Sequence, residues 1–253
     1  MRITLHETVS TTDGEYGELA DVVVDPGTRT ITHLVVQPRH RHHQARLVPM
    51  RHVRAGDDGL RLDLDAEHVH DLRRVAETEF LRSPADELDL GPDWDVGVQH
   101  VLITPTYGPL ADSMPAPGRP WPMGVEYDRI PRHECEIAAS SRVVAADGHD
   151  VGTVETFVVD GDHVEGVVVR SGAARRRRAV PVSAVARVRT DEIDLAVSRD
   201  EFERIEPLHG HELDARGGLA ERAGRAVGRW RRRLGRALAG DGDGPATEGR
   251  ADR

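Results

Sequence analysis

The chain contains no lysine: all 34 of its basic residues are arginine. That absence closes off a P-loop phosphate site, a kinase-type strand lysine and Schiff-base chemistry, each of which needs a lysine amine. Cysteine is almost missing as well. The single thiol, Cys135, excludes disulfides within the chain and cysteine-rich zinc sites. Its neighbours Glu134 and Glu136 disfavour a thiolate, so a nucleophilic role is not expected. Aromatic residues are only 4% of the chain, which leaves Val, Leu, Ile and Ala to build any core. No apolar run approaches the ~20 residues that cross a bilayer, and the start, Met-Arg-Ile-Thr-Leu-His, has no signal-peptide core. A cytoplasmic protein with no transmembrane segment is the expectation. No Gly-x-Ser-x-Gly elbow, His-Glu-x-x-His helix or Gly-x-Gly-x-x-Gly turn is present. We therefore expect no enzyme, no catalytic residue and no cofactor.

What the chain does have is an internal repeat. Gly17-Glu-Leu-Ala-Asp-Val-Val-Val-Asp25 is echoed by Gly152-Thr-Val-Glu-Thr-Phe-Val-Val-Asp160. Leu47-Val48-Pro49 pairs with Ala179-Val180-Pro181, and Leu60 to Leu64 pairs with Ile193 to Val197. The offset stays between 132 and 135 throughout. A repeat of this length means two copies of one structural unit, each near the lower size limit for a self-supporting core. Two marginal units gain by packing on one another.

Within each copy, short runs at the strand period alternate with turn signals. Asp25-Pro26-Gly27 turns the strand Leu19 to Asp25 into Ile31 to Val36, and Gly161-Asp162-His163 does the same for Val154 to Asp160. Asp65 and Ser198 each stand where a short helix would be capped. Between the copies the chain is rich in proline, and its only strand-like patch is Val98 to Ile103. Trp94, Tyr107, Trp121 and Tyr127 lie in that stretch, which is expected to pack partly across the repeats.

The pattern Gly-x-x-x-Asp-Val-Val-Val-Asp-Pro at Gly17 to Pro26, followed by Ile31-Thr-His-Leu-Val-Val36 and Arg46-Leu-Val-Pro49, resembles the PRC-barrel domain. This is the small β-barrel of the photosynthetic reaction-centre H subunit and of a bacterial ribosome-maturation factor. The resemblance covers residues 9 to 72 and, more loosely, 137 to 205. The middle stretch is similar to that of uncharacterised bacterial proteins with two such domains. With the internal repeat, the resemblance implies a mainly β fold with two small PRC-type β-barrels in tandem. The composition and spacing of the remaining residues give the expectation of a Pro-rich linker and a C-terminal amphipathic α-helix. The expected boundaries are 1–75 for the first barrel, 76–130 for the linker and 131–208 for the second barrel. A basic helix at 209–239 and a disordered tail at 240–253 follow. The resemblance implies a scaffold or adaptor that binds a protein partner, and it carries no catalytic residues.

Three features are candidates for binding. Residues 1 to 213 carry 24 arginines against 38 acidic residues, a net of −14, whereas residues 214 to 239 carry eight arginines against two acids. There Leu219, Ala223, Val227, Trp230, Leu234 and Leu238 recur at helical spacing, with Arg222, Arg225, Arg229, Arg232, Arg233 and Arg236 around them. Such a helix can dock on the acidic body, lie on an anionic membrane surface or neutralise nucleic-acid phosphates. Arg175, Arg176, Arg177 and Arg178 form an uninterrupted loop run suited to an acidic partner. His40, His42 and His43, with His33 and His52 nearby, are weak candidates for a metal, without a zinc-type spacing. The leading expectation is an adaptor. The alternatives are an RNA-associated factor in ribosome maturation or RNA processing and, more weakly, a metal- or ligand-binding enzyme using the His33–His52 region.

Overall fold

Gly17 and Gly152 show why both copies keep a glycine at this place. A Cβ on Gly17 would lie 1.9 Å from the Gln37 carbonyl oxygen, and one on Gly152 would lie 2.2 Å from that of Arg170. Each glycine lets a long strand pass directly against its hairpin partner, where any side chain would strike backbone. The computed structural model that shows these contacts describes residues 1–39, 44–56, 59–81, 90, 92–102, 123–172 and 174–208.

The first copy comprises β1 (Arg2–Thr4), β2 (Thr8–Thr11), β3 (Gly14–Asp25), β4 (Thr30–Pro38) and β5 (Arg46–Pro49). A 3-10 turn (Met50–His52), β6 (Val53–Ala55), β7 (Leu60–Leu62) and a short helix α1 (Ala66–Asp71) complete it. β2, β3, β4 and β5 are antiparallel neighbours in that order, β6 pairs β7, and β7 returns parallel to β2. Local chemistry sets the corners. The Asp25 carboxylate accepts from the Gly27 and Thr28 N–H groups and the Thr28 hydroxyl, closing the β3–β4 turn. Asp65 caps α1 by accepting from the His68 N–H at 2.8 Å.

Three further strands follow: β8 (Ala76–Leu81), β9 (Trp94–Leu102) and β10 (Met123–Pro131), in the antiparallel order β8-β10-β9. The second copy then has β11 (Cys135–Ala138), β12 (Arg142–Val144), β13 (Asp150–Asp160), β14 (His163–Ser171) and β15 (Arg176–Pro181). A 3-10 turn (Val182–Ala184), β16 (Val185–Arg189), β17 (Glu192–Leu195) and α2 (Arg199–Glu203) end it, with a capping box between Ser198 and Glu201. Every pairing of the first copy recurs, including the parallel return of β17 to β12.

The two copies do not close separately. β1 pairs with β13, setting Ile3 opposite Phe157, and β11 pairs with β3, setting Ile137 opposite Val22. Each copy thus lends its first strand to the long strand of the other. The hairpins also meet: the Ile31 N–H donates to Asp162 O and the Val164 N–H to Arg29 O, at 2.8 and 2.9 Å. One apolar core results, and Ile3, Leu34, Ile137, Phe157, Val167 and Phe202 all belong to it. Fourteen strands of the two copies make one curled sheet.

The proline-rich stretch carries more structure than its composition suggested. Instead of one patch at Val98 to Ile103, it holds the three-stranded sheet above. Burial is the physical reason: Ile130 on β10 and Val75 are fully buried on Val23, Val35 and Leu47, the outer face of the first copy, and Trp94 packs at the margin. The corresponding outer face of the second copy, Val158, Val168 and Ala179, is met by Leu208. The expected basic helix at 209–239 and the tail at 240–253 lie outside the described residues. Among those described, no helix is long and apolar enough to cross a membrane.

Candidate functional site

Where β11 crosses from the second copy onto β3 of the first, three carboxyl groups meet. Ala138 stands opposite Asp21 and Glu136 opposite Val23. Directly opposed residues share a face, so Asp21 and Glu136 both point toward the covering three-stranded sheet. Asp128 enters from that sheet. It stands on β10 two residues before the buried Ile130, on the face turned toward the first copy, opposite the place where β9 carries one extra residue at Gly97–Val98. One oxygen from each of Asp21, Asp128 and Glu136 lies within 4.8 Å of the others.

Glu136 is fully buried. Its Oε2 accepts from the Val98 N–H at 2.8 Å, and Gly97 leaves room for it: a Cβ there would lie 2.1 Å from Oε2. Its Oε1 is buried without any N–H or O–H donor. Burial, then the negative charges of Asp128 and Asp21, hold the Glu136 carboxyl well above the ordinary carboxylate range, and it lies within hydrogen-bonding reach of Asp128. Asp21 is pushed up to about 7, first by burial and then by Asp128 and Asp191. Burial and mutual repulsion therefore favour the protonated forms of Glu136 and Asp21 unless a positive charge enters the cluster.

A second feature lies at the same join. A cleft of about 530 Å³, counting space open to solvent, runs between the β3–β4 turn of the first copy and the 3-10 turn and β16 of the second. Val24, Pro26, Val182, Val185, Ala186 and Val188 form apolar walls, with Phe157 and Ile193 deeper in and Arg29 and Arg187 also lining it.

The loop arginines separate into different roles. Arg178 is buried: its Nε donates to Ile205 O at 3.0 Å, Nη1 to Ser171 Oγ at 2.7 Å and Nη2 to Glu203 O at 3.4 Å, and its guanidinium stands over the Phe202 ring. Arg46 occupies the matching place in the first copy, also buried, with Nη2 3.2 Å from His70 Nδ1. Arg177 makes a two-pronged pair with Glu155, at 2.9 and 2.6 Å. Arg175 and Arg176 remain exposed at the turn, Arg175 in a left-handed conformation. Two of the four are thus committed to partners within the fold.

Of the histidines, His33 Nδ1 sits 3.7 Å from Glu134 Oε2 and His52 Nδ1 2.8 Å from Asp63 Oδ1. Among the described residues the grouping of three or more metal-capable side chains is the carboxylate trio, and neither histidine is in it. His40, His42 and His43 lie outside the described residues, as do Arg222, Arg225, Arg229, Trp230, Arg232, Arg233 and Arg236. The Cys135 thiol is pushed up chiefly by burial, with Asp25, Asp95 and Glu134 adding; Glu136, expected to contribute, acts in the carboxyl cluster. Reading the residues in order did not single out Asp21, Asp128 or Glu136. The available signal was an acid beside the apolar run Val22 to Val24 and another within the short apolar strand Cys135 to Ala138.

Comparison with known proteins gives one family. Residues 7–69, which run from just before β2 into α1, match the PRC-barrel domain. No curated protein matches the chain.

Proposed function

We propose, with the PRC-barrel domain at residues 7–69 as premise, that the chain is a non-enzymatic adaptor built of two such barrels in tandem. The second barrel is the set of repeated elements from Cys135 to Glu203. The protein works by presenting the joined barrels to a protein partner. The observation that carries this reading is the apolar cleft at the join, walled by Val24 and Pro26 from one copy and Val185, Ala186 and Val188 from the other. Reciprocal strand exchange keeps those two walls in register, and a preorganised apolar pocket is the usual seat of a partner's anchoring side chain. Arg29 and Arg187 favour acidic residues beside that anchor. The basic C-terminal helix is assigned the second contact, on the acidic body or on an anionic membrane surface.

The test places a photo-activatable cross-linker at exposed Ala186, with exposed Glu165 as the control position, in cells that make the protein. The cross-linked protein is identified and its affinity for the purified full chain is measured. A partner captured at Ala186 and not at Glu165, and weakened at least tenfold by Val188→Asp, is the expected result. An affinity untouched by Val188→Asp removes the cleft from the proposal. For the tail, the full chain and a chain ending at Glu212 are compared for flotation with anionic liposomes and for salt-sensitive RNA binding. RNA binding lost on truncation would replace the adaptor reading with that of an RNA-associated factor.

A further inference from the structure

We propose that Asp21, Asp128 and Glu136 form a binding site for a hard divalent cation such as Ca²⁺ or Mn²⁺. The inference is independent of the adaptor reading. Carboxylate oxygens bind such an ion at about 2.4 Å, so two of them on one ion stand no more than about 4.8 Å apart. The three ligand atoms meet that limit. All three donors are hard oxygens, which select Ca²⁺, Mg²⁺ or Mn²⁺ over the softer metals. The seam of β11 on β3 and the packing of β10 over it bring them together from three strands, so the arrangement is not a solvated acidic strand face.

The independent sign of a ligand is Glu136. Its side chain is fully buried, its Oε2 is already held by the Val98 N–H, and its Oε1 has no N–H or O–H donor. A buried oxygen left without a donor costs on the order of 1–3 kcal/mol, and here only a neighbouring acid's proton or a cation can meet it. The charges acting most strongly on Asp21 and Glu136 are negative. A divalent ion reverses that balance and leaves all three groups ionised. Asp21 and Asp128 are only half-buried, which leaves a path for the ion and for water to complete its shell. Since the three donors belong to the first copy, the covering sheet and the second copy, the ion ties the seam together.

The experiment uses the full chain, stripped with EDTA and dialysed, and titrated with CaCl₂ and with MnCl₂ by calorimetry at pH 7 in two buffers of different ionisation heat. One site per chain, proton release on binding and a higher melting temperature with either ion are expected. Asp128→Asn and Asp21→Asn should each weaken binding at least tenfold with the circular dichroism unchanged, and Glu136→Gln should abolish it. Absence of binding to both ions at millimolar concentration overturns the proposal. So does binding that survives unchanged in Asp128→Asn and Asp21→Asn. If the substitutions raise the melting temperature while neither ion changes it in the parent chain, the cluster is a proton-sharing acid core and the cation site is refuted.

Discussion

Replacing Asp21 by asparagine should change the pH dependence of stability in a defined direction. Burial and the neighbouring acids push the Asp21 carboxyl from 3.8 to about 7. The sign follows from proton uptake. Between those two values the unfolded chain has released this proton and the folded chain still holds it, so stability falls as pH rises. The slope is about 1.4 kcal/mol per pH unit for one proton. Over a window of roughly three units the ceiling is about 4 kcal/mol, lost progressively toward pH 7 and constant above it. Glu7, pushed up to about 7 mainly by burial, and Glu136 act in the same sense. Carboxylates such as Asp65 and Glu203, held below their ordinary values of 3.8 and 4.5 by hydrogen bonds, act in the opposite sense but only at the acid end, below the pH 5 at which the comparison starts. Groups common to both proteins cancel in the comparison. Urea denaturation of the parent and Asp21→Asn chains at pH 5, 6, 7 and 8, in EDTA, measures the difference directly. The variant should lose about one proton's worth of slope between pH 5 and 7, and more if its missing charge lets Glu136 ionise earlier. Parallel curves for the two proteins would refute the placement of a protonated Asp21 in the folded state.

Other substitutions test the frame. Gly17→Ala drives a Cβ into the Gln37 carbonyl and should cost about 3 kcal/mol, the upper end of overpacking effects, read as a fall in the urea midpoint. Ile3→Ala and Ile137→Ala remove buried side chains from the two exchanged strands. Each should cost about 2–5 kcal/mol and still leave one calorimetric transition, because both halves share the core. Arg178→Ala removes three hydrogen bonds from the guanidinium and should destabilise the fold by about 3 kcal/mol. Arg175→Ala and Arg176→Ala, at the exposed turn, should leave the melting temperature unchanged.

The repeated elements were readable because their causes are local. Gly17 and Gly152 mark a close strand crossing, Pro49 and Pro181 both precede a 3-10 turn, and Asp65 and Ser198 cap equivalent helices. The exchange of β1 and β11 was hidden for the opposite reason. Strands of three and four residues carry too little periodicity to declare a partner, and β1 finds its partner more than 150 residues away. β8 and β10 were obscured by the proline-rich stretch between them, and the burial of Ile130 that holds the sheet in place is a tertiary effect. Arg178 looked like part of a surface run because nothing local says that two of its three hydrogen-bond acceptors come from the residues after Phe202. The matching arginine at position 46 was the available clue.

The carboxyl cluster was hidden for a further reason: it breaks the repeat. Under the pseudo-symmetry that relates the copies, Glu136 corresponds to Arg2 and Asp21 to Thr156, the residues at the matching places in the β1–β13 pairing. There Thr156 Oγ1 donates to Thr4 Oγ1 and no acid faces another across the two strands. The two seams share one backbone geometry and differ in chemistry. Only the β3–β11 seam lies under the three-stranded sheet, which supplies the Asp128 carboxyl, the Val98 N–H and the space at Gly97. A pair of acids on that seam alone would gain nothing in stability from the fold, because burial raises the cost of ionising either one. Covering them with a third acid deepens the cost. An arrangement that worsens with each added member, at one seam and not at its twin, is explained by a ligand that needs all three.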